Sequence, residues 1–125
     1  PHETRRIVRE GGCFFHQARL GEEWHDVCEF TGEEMPPIDR ELASWWTSTS
    51  PDSKFRQYLM VARARPAGRR FTVNNGEFIH RQGAEIIERR DLATADELLE
   101  LLASHFDLRF PAGTRFGPSG SPWPS

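Results

Sequence analysis

Apolar and polar positions alternate with period two through the first third of the chain. Thr4 to Glu10 centres on Ile7 and Val8, and Gly11-Gly12 follows as a two-residue hairpin signal. Cys13 to Leu20 reads as the return strand and Gly21-Glu22 as a second turn. Trp24, Asp26, Cys28 and Phe30 then alternate with His25, Val27 and Glu29, the spacing of a pleated strand. The pattern predicts a three-stranded antiparallel meander within residues 1–35, closed by Met35-Pro36-Pro37.

The period then changes. Asp39 is placed as the N-cap of a short helix running through Leu42 to the Trp45-Trp46 pair. Thr47 to Ser53 reads as a hydroxyl-dense loop punctuated by Pro51. Phe55 to Arg65 is predicted as the longest strand, with a turn at Pro66-Ala67-Gly68. Arg69 to Val73 and Glu77 to His80 flank Asn74-Asn75-Gly76, a strong hairpin signal. Ala84 to Arg89 is a further strand. Thr94 and Glu97 have the spacing of a capping box, opening a helix with Leu98, Leu101, Leu102 and Phe106 on one face. The expected fold class is therefore α+β, largely antiparallel sheet with two helices, one short and one C-terminal. Residues 36–110 form its α/β segment, and residues 111–125 a loosely held tail rich in Pro, Gly and Ser.

Composition adds limits. The 125 residues carry a formal charge of −3, which does not call for nucleic acid as a partner. Mean hydropathy is −0.64, and no apolar run approaches the ~20 residues of a membrane-spanning helix. Two cysteines, Cys13 and Cys28, make neither a disulfide framework nor a cysteine-rich metal site. No His or Cys pairs have the close ligand spacing a metal requires, so no metal is expected, and a reducing, cytoplasmic setting fits. The chain opens at Pro1, as a fragment or processed product would.

The stretch R-E-G-G-C-F-F-H-Q at 9 to 17 invites a nucleophile reading of Cys13. Such a cysteine needs a base within hydrogen-bond reach and a group to orient that base. The candidate bases are His2, His16, His25, His80 and His105. His16, three residues along the same strand, points to the opposite face from Cys13, and His25 and Asp26 are likewise turned apart. Cys13 also lies away from any helix N-terminus. Cys13 is therefore read as a packed strand residue, with a self-contained thiol enzyme as the outside alternative.

Two other stretches carry a resemblance. W-H-D-V-C-E-F-T at 24 to 31 precedes D-R-E-L-A-S-W-W-T-S-T-S-P-D-S-K-F at 39 to 55. The second run resembles the arylamine N-acetyltransferase pattern of Asn-aromatic-aromatic followed by Ser-Thr-x-Pro-x-Ser-x-Phe. Gly68-Arg69, the run from Glu88 to Leu92 and the closing F-D-L-R-F are similar to the family's ending. The likeness extends from about Thr4 to Phe110. Family members move acetyl from acetyl-CoA to arylamines, arylhydroxylamines or hydrazines through an acetyl-cysteine. Their nucleophile lies in R-G-G-Y-C-F-E and their triad aspartate in D-V-G-F-G, neither of which occurs here. The resemblance thus implies the C-terminal portion of such an enzyme, the end of the β-barrel domain (residues 1–35) plus the α/β lid (36–110).

On that reading no catalytic residue belongs to this chain. Acetyl-CoA is the co-substrate, and the N-terminal catalytic region of the same enzyme is a partner. The resemblance places Ser48, Thr49 and Ser53 near the coenzyme A channel as hydrogen-bond donors, with turn-capping as their other reading. It turns Trp46 toward the arylamine or hydrazine substrate. Ser44 and Trp46 depart from the family's usual asparagine and tyrosine or phenylalanine. Arg69 and Arg70 are candidate phosphate contacts. An exposed apolar cut face, and with it a homodimer, is expected. The rival reading is an independent non-enzymatic β-rich binding module.

Overall fold

The computed structural model describes residues 3–117; His2 and residues 118–125, the greater part of the expected tail, lie outside them. Strands β1 (Arg5–Glu10), β2 (Cys13–Leu20) and β3 (Glu23–Phe30) form an antiparallel meander in the order β1-β2-β3. Gly11 and Gly21 sit in the left-handed region at φ 59° and 63°, where a Cβ would be strained. The meander is a three-stranded sheet and does not close into a barrel. β1 and β2 keep a regular register, but β2 and β3 slip by one residue between His16 and Gln17. Phe14 stacks on Phe30 with ring centroids 5.3 Å apart. On the opposite face the Arg6 guanidinium lies 4.1 Å over the Trp24 ring.

Helix α1 runs Pro37–Thr49, earlier at its start and longer than the sequence pattern predicts. Pro36 occupies the N-cap position, not Asp39. Pro37, with no N–H to satisfy and φ preset, starts the helix, leaving the Asp39 carboxylate in the first turn, where it complements the helix dipole. Thr47 and Ser48 are helical, not loop: their hydroxyls donate back to the Ala43 and Ser44 carbonyls at 2.9 and 2.7 Å. A one-turn helix α2, Lys54–Gln57, follows. The predicted strand from Phe55 therefore begins only at Met60, and Phe55 itself is 78% exposed.

Strands β4 (Met60–Arg65), β5 (Arg69–Asn74), β6 (Glu77–Gln82) and β7 (Glu85–Asp91) form a second antiparallel sheet in sequence order. Asn75 turns the β5–β6 hairpin at φ 52°, and its Oδ1 accepts the Leu59 amide at 3.0 Å. Helix α3 (Ala95–Phe106) covers one face of this sheet. The Thr94 half of its capping box forms, the hydroxyl accepting from the Glu97 amide at 3.2 Å, while the Glu97 carboxylate reaches one residue further back and accepts the Ala93 amide at 2.8 Å. Leu98, Leu101, Leu102 and Phe106 bury against Val73, Phe78 and Leu92. Each fully buried leucine contributes roughly 1.5–3 kcal/mol.

The core is thus confined to the second sheet and α3. The meander adds only Ala18 to the buried apolar residues of the described chain. Ile7, Val27 and Phe30 on the meander, and Ile38, Leu42 and Trp45 on α1, stay exposed.

Candidate functional site

Three groups of chemistry-bearing side chains stand out. The first is the end of α1. Trp46 is 46% exposed and lines an open, mainly apolar groove of about 430 Å³ with Asp39, Leu42, Ala43 and Thr47. Ser48 and Thr49 are exposed beside it, their hydroxyl oxygens 3.4 Å apart. Ser53 is different: it is fully buried and its hydroxyl donates to the Thr47 carbonyl at 2.6 Å. That bond, with Arg56 Nη1 donating to the Thr49 carbonyl at 2.7 Å, folds the proline turn back on the helix end. The Ser53 proton is committed inside the protein and the Ser48 proton to the Ser44 carbonyl at 2.7 Å, so Ser48 keeps only an exposed acceptor oxygen and Thr49 is the exposed hydroxyl beside it.

The second group lines a cleft of about 390 Å³ between the tip of the β2–β3 hairpin and the outer face of the second sheet. Arg19, Arg69, Arg70 and Arg81 all border it, against the carboxylates Glu3 and Glu23. Arg70 and Arg81 are direct partners across β5 and β6, so two like charges share one face at the distance where they repel. Arg70 is countered by Glu3 at 3.0 Å. Arg81, half-buried, makes no ion pair or hydrogen bond among the described residues. Arg69 spends only its Nε, on the Pro66 carbonyl at 3.3 Å. Burial alone would raise the Glu3 carboxyl, but the Arg5 hydrogen bond and the charges of Arg70 and Arg5 outweigh it and hold it below the ordinary range. The cleft is therefore a concentration of guanidiniums with too few carboxylates, shaped to take an anion.

The third group is the pair of thiols. Cys13 hydrogen-bonds Glu29, and that bond, with lesser desolvation and the Glu29 charge, pushes the thiol up from its ordinary value. His16 lies on the other face, as the alternation requires. There it meets Cys28, a pairing the sequence pattern does not predict. Its Nδ1 is 3.8 Å from Cys28 Sγ and its Nε2 is 3.2 Å from Arg5 Nη1. The even hairpin register that pairs Gln17 with Asp26 would set Val27 opposite His16. The one-residue bulge at His16/Gln17 sets Cys28 there instead.

The other histidines are scattered. His25 is 3.8 Å from Glu23, while Asp26 accepts from Gln17 Nε2 at 2.7 Å on the opposite face. His80 and His105 lie edge-on to Phe71 at 4.8 and 5.3 Å. Among the described residues no group of three or more His, Cys, Asp or Glu side chains could hold a metal ion.

The N-acetyltransferase family model matches residues 1–114 of the chain. An arylamine N-acetyltransferase of Escherichia coli (strain K12) is 27% identical over 108 residues, which cover 86% of this chain and 38% of that protein. One from Mycolicibacterium smegmatis is 33% identical over 107 residues, with the same coverage of 86% and 38%. Among solved structures, the arylamine N-acetyltransferase of M. tuberculosis aligns with a TM-score of 0.72 at 30% identity, covering 84% of this chain and 38% of its own. That of Mycobacterium marinum in complex with CoA gives 0.70 at 26%, covering 84% and 38%. The chain spans about 38% of the length of these curated relatives.

Proposed function

The chain belongs to the N-acetyltransferase family, and from that premise we propose that it is the cofactor- and substrate-binding C-terminal portion of an arylamine N-acetyltransferase. The observation that carries this reading is the arginine cleft. Coenzyme A presents phosphate groups, and Arg81, opposed to Arg70 and without a counter-ion of its own, is a site those phosphates would fit. Arg69 and Arg70 would complete the anion contact from the same sheet. Thr49 offers an exposed hydroxyl and Ser48 an acceptor oxygen to the pantetheine arm, and Ser53 shapes the turn that presents them. Trp46 and Leu42 form the flat apolar wall that an arylamine ring or a hydrazine's aryl group would lie against. When bound, acetyl-CoA supplies the acetyl group. The residues that transfer it lie outside this chain, in the N-terminal catalytic region of the same cytoplasmic enzyme. Cys13, held as a thiol by Glu29, takes no part.

The test is an acetyl-transfer assay with acetyl-CoA and a simple arylamine or hydrazide. It compares the 125-residue chain, a form extended upstream in its gene, and a Cys13→Ser variant of each. Activity in the extended form alone, indifferent to Cys13→Ser, is the expected result. Activity in the short chain that vanishes with Cys13→Ser would overturn the reading.

A further inference from the structure

The two cysteines stand on opposite faces of one three-stranded sheet and in opposite electrostatic settings. Cys13 faces a carboxylate, Glu29, which accepts its proton and disfavours the thiolate. Cys28 is exposed and faces an imidazole, with a guanidinium behind it. The protonation of that imidazole follows from its partners. A guanidinium nitrogen can only donate, so the contact of Arg5 Nη1 with His16 Nε2 requires a lone pair on Nε2. A neutral imidazole that accepts at Nε2 carries its proton on Nδ1, the nitrogen directed at Cys28 Sγ. The tautomer so assigned puts an N–H donor against an exposed sulfur, held there by Arg5, whose guanidinium is shared between the imidazole and the Glu3 carboxylate. Exposure and a facing hydrogen-bond donor are features that reactive thiols share.

We propose that Cys28 is a modification site of this protein, a surface nucleophile that forms mixed disulfides with low-molecular-weight disulfides, positioned by His16 and Arg5. The Cys28 sulfur attacks one sulfur of the incoming disulfide. A new S–S bond joins it to half of that molecule as the original S–S bond breaks. The other half leaves as a thiolate and takes up the proton given up by the Cys28 thiol. The Cys28 sulfur is oxidised as the leaving sulfur is reduced, so no further oxidant enters. The one-residue bulge creates the site, because without it the exposed, inert Val27 would lie opposite His16.

The experiment is a time course of the 125-residue chain with oxidised glutathione at neutral pH, read by intact mass and by peptide mapping of the modified residue. The adduct is expected on Cys28 about tenfold faster than on Cys13, because Cys28 is exposed and faces a hydrogen-bond donor whereas Glu29 holds the Cys13 proton. His16→Leu should slow Cys28 several-fold and leave the Cys13 rate unchanged. Arg5→Met, an exposed substitution that spares the imidazole, should slow Cys28 by less. Should His16→Leu fail to fold, as judged by far-UV circular dichroism, Arg5→Met decides the matter. Equal rates at the two cysteines, or a Cys28 rate indifferent to both folded variants, would overturn the proposal.

Discussion

Replacing Arg81 by glutamine removes one of the two guanidiniums that face each other across β5 and β6. The consequences for stability and for binding have opposite signs. In the free chain Arg81 has no compensating partner among the described residues, and a like-charged pair directly opposite on an antiparallel ladder costs roughly 0.2–1 kcal/mol. Arg81→Gln should therefore leave the free protein as stable as before or raise its stability by up to about 0.5 kcal/mol, half-exposure screening the repulsion. A phosphate in the cleft loses a charge-assisted hydrogen bond, worth about 1.5–3 kcal/mol. With Arg81 only half-buried the lower end applies, and about 1.5 kcal/mol is about a tenfold loss of affinity. Titration calorimetry of coenzyme A against the chain and its variant measures the second effect, and thermal melting without ligand the first. A variant that melts lower and binds as well as the parent would show Arg81 to be a structural residue and sink the cleft argument. Arg81→Lys, keeping charge without the planar fork, should fall between the two.

Other expectations are simpler. Leu98→Ala, in the first turn of α3 and wholly buried, should cost about 2–5 kcal/mol by urea unfolding. Alkylation of Cys13 by iodoacetamide should set in only at a pH above that of an ordinary thiol, because Glu29 holds its proton. Glu29→Gln should move that onset downward. Glu3, depressed in the folded chain, contributes stability above the unfolded carboxyl value of about 4.3. That contribution fades as pH falls through the lower folded value. The acid limb of a melting-temperature profile should flatten in Glu3→Gln. An unaltered limb would show that the Arg5 and Arg70 contacts are energetically idle.

What the sequence made legible follows the range of the forces involved. The meander, the β5–β6 hairpin and the capping box depend on residues within a few positions of one another, and each was read from alternation, Asn-Gly or the Thr94/Glu97 spacing. The helix start was misplaced because Asp39 outranked Pro37, although proline at the first position is itself a start signal. The predicted strand from Phe55 is too long because Phe55 and the run Tyr58-Leu59-Met60-Val61 are residue types that suit a strand. The buried Ser53 clip instead turns that stretch into one helical turn. Of the candidate site, the resemblance alone points to Trp46, Ser48, Thr49 and Ser53, and side-chain chemistry to Arg69 and Arg70. Arg81 and the His16–Cys28 pair were missed, because each depends on a cross-strand neighbour. For the second pair that neighbour is set by a bulge, and no short-range pattern announces one.

The confinement of the core to one sheet gives this chain two units of unequal resilience. Hydrogen exchange should be slow in β5, β6 and α3, where the leucines and phenylalanines are sealed, and fast in the meander, which buries little. The arginine cleft has one wall on each: Arg70 and Arg81 on the rigid side, Arg19 and Glu23 on the yielding one. An anion held by both walls would lend the second sheet's rigidity to the first. Occupancy of the cleft would then appear as amide protection spreading into β2 and β3, a change in motion with no change in shape.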